Sequence, residues 1–361
     1  MKISRIIAST RSLFLLLAIT GISFLISPHH LSGQTGKSSG TLLVGNKSGN
    51  TLSFIDRTSG RTIRKLPTGI QPHEVEVSDD GRWAIVANYG DRQNPGNTLS
   101  VYDVKKASLS KTIDLGENTR PHGLDWIHGT SKILVTTEGS QKLLVVDVTQ
   151  AEILQALDTE REISHMVAVS PDGRRAFVSS IRSGDVTVFS LPEGERLAQL
   201  YSGKGAEGIA VSPNGREVWV TNRADHTLSI FDAQSLQPKA TLSCGDFPIR
   251  AKFSPNGQYF VVSNAQSGDV AIFDAPNKQL IKKIKMRPPV PEDKDPQRYF
   301  SEFEGTSVPI GVVVPDNQTA YVSNTRSDVV TVIDLNKLSI RGHFEAGKEP
   351  DGINYSPLSS E

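Results

Sequence analysis

The sequence holds a single cysteine, Cys244, among 361 residues. One thiol cannot close an internal disulfide, so packing must hold the chain together. The same scarcity excludes the Cys-x-x-Cys-His run that attaches c-type haem covalently, and every zinc-finger spacing. Cys244 itself reads as a small, half-buried strand residue. Net charge is absent as well, since 39 Lys and Arg balance 39 Asp and Glu. A neutral chain gives no electrostatic case for nucleic acid or an anionic membrane as the main partner. Nor does a Gly-rich phosphate loop appear.

Long apolar runs are missing except at the N-terminus. There Lys2, Arg5 and Arg11 lead into a run from Leu13 to Ile26, broken only by Thr20, Gly21 and Ser23, and a polar stretch follows. This is a secretory signal pattern. The run is shorter than the roughly 20 residues that span a bilayer, so we expect a cleaved signal peptide over residues 1–34 and a linker over 35–39. No cysteine follows the run, which argues against a lipoprotein. The expected location is periplasmic or secreted, with no further membrane segment.

What is present is a repeat. Gly215 to Leu242, GREVWVTNRADHTLSIFDAQSLQPKATL, recurs seven times with its turn residues in the same places. Glu217 to Thr221 is a β-branched and aromatic run, Asn222 to Asp225 a polar turn, and Leu228 to Asp232 a strand with period-two alternation. Lys239 to Leu242 begins a third strand, and Ile249 to Ser254 is a fourth that stops at Pro255-Asn256-Gly257. The aspartate ending the second strand marks the period: Asp56, Asp103, Asp147, Asp232, Asp274 and Asp334, with Ser190 in the fourth repeat, at spacings of 47, 44, 43, 42, 42 and 60. One small sheet cannot bury both faces until neighbours stack on it, so a four-stranded unit every forty-odd residues reads as a propeller blade. The predicted fold is all-β, a seven-bladed propeller of four-stranded antiparallel blades over residues 40–358.

Two alignments fix how the ring closes. Leu42-Leu43-Val44 matches Val218-Trp219-Val220, the first strand of the Gly215 unit, while Asp351 to Pro357 matches Glu207 to Pro213, the strand preceding it. The chain therefore begins and ends within one blade, and the C-terminal strand is expected to complete it and remove the free edges. Two repeats carry extra residues, Gly90 to Asn97 and the insertion at 287–306, RPPVPEDKDPQRYFSEFEGT. Four prolines and many charges in the latter favour disorder while Tyr299, Phe300 and Phe303 favour packing, so it reads either as a lid or binding loop or as a decorative excursion.

Val218-Trp219-Val220-Thr221-Asn222 and Ala320-Tyr321-Val322-Ser323-Asn324, each followed by a turn and an Ile-Asp or Phe-Asp strand end, resemble the YVTN-type β-propeller repeat over nearly the whole chain after residue 40. That resemblance implies a functionally broad family: surface and periplasmic proteins, relatives of lactonases, and relatives of the haem-carrying propellers of cytochrome-type nitrite reductases.

The candidate site comes from the strand expected to line the central channel. Its starts form a ring at one mouth: His73, His122, His165, Glu207, Ile249, Ile310 and Asp351. With closure, Asp351, His73, His122, His165 and Glu207 lie on five consecutive blades, so three of the eight histidines stand together beside two carboxylates. His73, His122 and His165 suit a divalent metal, preferred here over haem. Together with Glu207, Asp351 and Arg120 they form the expected ligand-binding set. Alternatively His165 and Glu207 are acid–base partners, with Arg250 or Arg120 polarising a carbonyl, as in a lactonase-like hydrolase or lyase. His128, His226 and His343 fall on turns or outer strands, the strand-end aspartates should accept turn N–H bonds, and Trp83, Trp126 and Trp219 suit packing between blades. The functional expectation is a monomeric exported binding or scaffold protein engaging a small ligand, metal ion or envelope protein partner at the mouth. The enzyme is the alternative, and a purely structural envelope protein a second one.

Overall fold

Strand assignment follows directly from the repeat. The computed structural model describes residues 40–288, 298 and 300–361. The expected signal peptide and linker over residues 1–39, Tyr299 and residues 289–297 of the insertion lie outside the described residues. Seven antiparallel sheets of four strands form the ring, and no helix occurs among the described residues. Blade 1 is composite: the C-terminal strand Pro350–Ser356 pairs with Thr41–Asn46, in the register Thr41 to Ser356 and Val44 to Ile353. Blades 2 to 7 start with the inner strands Pro72–Val77, Pro121–Trp126, Ser164–Val169, Ala206–Val211, Pro248–Phe253 and Pro309–Val313.

Burial explains why the sequence pattern changes across a blade. The second strand has neighbours on both faces, so Val218 to Asn222 is buried throughout and its apolar run is continuous. The outermost strand, such as Glu152–Asp158, alternates exposed and half-buried residues. Between blades, Trp219 is fully buried and packs on Phe260, ring centroids 4.7 Å apart, in the next blade. Trp126 joins a cluster spanning blades 2 and 3, and Trp83 packs at its margin.

The motif residues have identifiable work. Asn222 donates to Ser229 Oγ across the hairpin at 2.9 Å while its carbonyl oxygen accepts from Ser202 in the incoming loop at 2.7 Å. Asn46 does the same with Ser53 and the Gly347 N–H. The strand-end aspartates accept turn N–H groups, as Asp232 does from Gln234 and Ser235 and Asp334 from Asn336 and Lys337. Cys244 is a buried thiol donating to Asn264.

The Ser or Thr before that asparagine connects blades. Thr136 donates to the His165 carbonyl at 2.6 Å, Ser323 to that of Asp351 at 2.6 Å, and Ser179 to that of Glu207. Each hydroxyl thus holds the ring residue of the following blade. Glycine brings the inner strands closer still. A side chain at Gly123 would collide with the backbone of His165 and Met166, and one at Gly352 with that of His73 and Glu74. The residue before every inner strand takes a left-handed conformation, from Gln71 at φ 47° to Gly205 at 74°, and six of the seven are not glycine. Most inner strands also break register across their second and third residues, for example between Pro72 and Val75. Such a break turns the ring side chains out of the ladder and toward the axis.

Candidate functional site

All seven predicted ring residues occupy the second position of an inner strand. Close packing of those strands brings the polar arc into contact. His73 and His122 lie with ring centroids 4.1 Å apart, and His122 and His165 with centroids 3.8 Å apart. The three are 4%, 1% and 5% exposed. Their partners differ along the stack. His73 faces Lys47 Nζ at 2.8 Å and Asp351 Oδ2 at 3.2 Å. His165 lies between two carboxylates, with Glu138 Oε1 2.5 Å from Nδ1 and Glu207 Oε1 3.2 Å from Nε2. His122, in the middle, has no hydrogen-bond partner on either ring nitrogen among the described residues.

Electrostatics follow these contacts. Burial, with the cations Lys47 and Arg250 and the neighbouring His165, pushes His73 well below the usual histidine range. Burial and the flanking imidazoles do the same to His122. Both are neutral at pH 7. Burial also opposes charge on His165, but its hydrogen bond to Glu138 and the close Glu207 carboxylate more than offset it and raise its pKa. Burial opposes ionisation of Glu207 too, yet His165, Arg223 and Arg250 outweigh it and hold the carboxyl at about 2. Asp351, with burial dominant, is raised to about 6.

The predicted cations sit apart from the imidazoles. Arg250 lies below the ring, bridging Glu207 Oε1 at 3.0 Å and Glu74 Oε1 at 2.6 Å. Arg120 caps the Tyr89 ring at 5.1 Å and donates to the Asp91 carbonyl, reaching the site only through Tyr89. His128 pairs with Asp79, His226 accepts from the Phe247 N–H, and His343 contacts Thr331, all away from the stack.

Sequence reasoning missed a second ring. Lys47, Glu138 and Arg223 each follow the last residue of a second strand and Tyr89 is the penultimate residue of one, and each N–H bonds to the left-handed residue before the adjacent inner strand. Tyr89 packs edge-on against His73 and His122 and donates to Glu138 Oε2 at 2.5 Å. Arg223 donates to Glu207 Oε2 at 2.8 Å. The signal was available: one position after the motif asparagine, or after Thr137 in blade 3, the repeats carry Lys, Tyr, Glu and Arg where outer turns are otherwise Ser- and Gly-rich.

Two groups could hold an ion, sharing His122: His73, Glu74 and His122, or His122, Glu138 and His165, with ligand atoms within 4.8 Å of one another in each. In the first, Lys47 occupies His73 and Arg250 occupies Glu74. Among the described residues the second has no fixed cation on its donor atoms, apart from the proton His165 shares with its carboxylates.

The remaining arc is apolar and covered. Ile249 and Ile310 pack with Ala265 and Val308, and Phe247, Phe300 and Phe303 close over them. Phe300 and Phe303 stack with centroids 5.0 Å apart and meet Phe247 edge-on. Arg298 pins the insertion to Asp328 at 2.9 and 3.0 Å, and Arg326 holds the Phe303 carbonyl. The described part of the insertion is therefore a cover over part of the mouth.

Comparison with known proteins places this geometry among propellers. Residues 130–251, from the second strand of blade 3 into the inner strand of blade 6, match the family described as the cytochrome D1 heme domain. A curated relative, antigen Lp49 of Leptospira interrogans, is 26% identical over 152 residues. That match takes in 42% of this chain and only 33% of the relative. A functionally unknown protein from Desulfotomaculum acetoxidans superposes with TM-score 0.72 at 13% identity, covering 90% of this chain and 100% of that one. The hydrazine synthase of Kuenenia stuttgartiensis gives 0.67 at 19% identity, covering 82% and 93%. At those identities the structural likenesses concern the fold alone. The seven four-stranded blades make this chain a β-propeller, and its central blades are similar to the cytochrome D1 heme domain.

Proposed function

We propose that the protein is an exported, monomeric binding propeller that takes a divalent transition-metal ion at the channel mouth, through His122, His165 and Glu138. The observation that carries this is His122: a buried, neutral imidazole with two unpartnered nitrogens beside a histidine and a carboxylate. An unsatisfied buried polar group costs about 1–3 kcal/mol, which a metal bond would remove. Two imidazoles and a carboxylate suit zinc or a similar ion and leave a position for water or a ligand atom. His165 is clamped by Glu138 and Glu207, so binding would displace its proton. Tyr89 and Glu207 would orient Glu138 and His165 from behind. Export rests on the apolar run at Leu13 to Ile26.

Haem, suggested by the matched family, fits these residues less well. The imidazoles stack at 4.1 and 3.8 Å with no gap for a macrocycle, and Tyr89, Lys47 and Asp351 occupy the flank of His73. The hydrolase alternative is disfavoured by Glu207, whose carboxyl at about 2 and three cationic partners make it a poor base near neutrality. The test is elemental analysis with an absorption spectrum on protein purified without chelator or histidine tag, then reloaded with zinc. One equivalent of metal, lost in His122→Ala and Glu138→Gln, is expected. A protein that stays metal-free after reloading, or one with a porphyrin absorption band, overturns the reading.

A further inference from the structure

The opposite end of the channel carries a second, unassigned cluster. Alternation along the inner strands places Glu76, Asp125 and Lys252 two residues beyond Glu74, Gly123 and Arg250, at the far mouth. They line a cavity of about 460 Å³ whose remaining wall includes Ile209, Val313 and Tyr355. Pockets of this size hold small organic molecules, and here His128 and Asn354 add polar groups to a wall that is otherwise mostly apolar side chains.

The three charged groups do not satisfy one another. Asp125 accepts the N–H groups of Trp126 and Val169, at 3.1 and 2.6 Å, and Glu76 accepts that of Val77 at 3.2 Å. Lys252 makes no hydrogen bond or direct ion pair among the described residues. It stays charged all the same, because attraction to Glu76 and Asp125 more than offsets burial. An ammonium therefore faces two carboxyl groups across a cavity, close enough to feel them and too far to bond, and burial raises both acids, Glu76 to about 7.

The two mouths are separate sites. Between them the channel narrows to a cavity of about 30 Å³ beside Glu74 and Arg250, room for water and no more. Arg250, bonded to Glu74 and Glu207, closes the passage.

We infer that the far mouth binds a small zwitterion with an apolar body, of the α-amino acid class, its carboxylate on Lys252 and its ammonium on Glu76 and Asp125. Such a ligand bridges the gap that the side chains leave open, and its apolar part meets Ile209, Val313 and Tyr355. A simple cation would leave Lys252 unpaired, and a simple anion would face two carboxylates.

The full chain would be titrated with L-leucine, L-valine and L-phenylalanine by calorimetry and saturation-transfer NMR. Isopentylamine and 4-methylpentanoate, the one-charge analogues of leucine, complete the set. At least one amino acid should bind the wild type. Lys252→Met and the isosteric Glu76→Gln should each weaken it about 30-fold or more, with unchanged circular dichroism, and the leucine analogues should bind comparably weakly. His122→Ala, at the other mouth, should bind as the wild type does. The inference fails if no amino acid binds, if both variants bind undiminished, or if a one-charge analogue binds as tightly as leucine.

Discussion

The two arcs of the mouth share one backbone and differ in what they expose to each other. On blades 1 to 5 the ring position carries Asp351, His73, His122, His165 and Glu207, and on blades 6 and 7 it carries Ile249 and Ile310. The same hydroxyl tie anchors both, Thr136 to the His165 carbonyl and Ser263 to that of Ile310. The polar arc is ordered by charge and hydrogen bonds from the second ring. The apolar arc has no such partners and is closed by aromatic side chains from the insertion. A repeated frame thus supports either solution, and side-chain chemistry decides which.

Placing a charge on the wrong arc should give the largest effect. Ile310→Asp buries a carboxylate with no cation against Phe300 and Phe303, and a loss of about 3–5 kcal/mol is expected in urea unfolding. A loss below about 1 kcal/mol would mean that water reaches this arc.

Removing a matched charge from the polar arc should act through pH. Glu207 falls from the ordinary 4.5 to about 2 on folding. Between those values the unfolded chain binds more protons, so stability rises with pH there. The contribution is complete above pH 4.5 and lost as pH falls toward 2, roughly 3 kcal/mol by linkage. Glu207→Gln should flatten this acid limb in unfolding midpoints measured from pH 5 to 2, and an unchanged slope would contradict the assigned clamp.

The cover should matter less. Phe303→Ala removes one stacked and one edge-on contact, worth about 0.5–1.5 kcal/mol each. The variant should also expose Ile249 and Ile310 to a hydrophobic dye while leaving metal content unchanged. Smallest is Ser323→Ala, which deletes the tie to the Asp351 carbonyl at a cost of about 1 kcal/mol. Equal losses from Ser323→Ala and Ser263→Ala would confirm that the frame is indifferent to the arc it carries.

Much of this was legible in the chain itself. The spacing of Asp56, Asp103 and Asp147 counted the blades, and the match of Asp351–Pro357 to Glu207–Pro213 predicted closure, because turn chemistry and strand alternation are local. His73, His122 and His165 were readable as one ring because equivalent positions in a closed repeat share an axis. Glu138 and Tyr89 escaped because their importance lies in contacts between blades, and their shared repeat position, one past the motif asparagine or Thr137, does not say that their side chains reach the ring. The insertion was ambiguous for a similar reason: Phe300 and Phe303 state that they can pack, and only the position of Phe247 states where.

Sequence alone therefore determined the all-β class, the sevenfold repeat, the closing strand and the membership of the ring, all set by local pattern and topology. Tertiary structure decided that the imidazoles stack, that His122 is left without a partner while His165 is held between two carboxylates, and that Arg250 divides the channel into two mouths. Those outcomes depend on separations of a few ångströms between strands remote in sequence, fixed by glycine contacts such as Gly123 on His165 and by hydroxyl ties across blades.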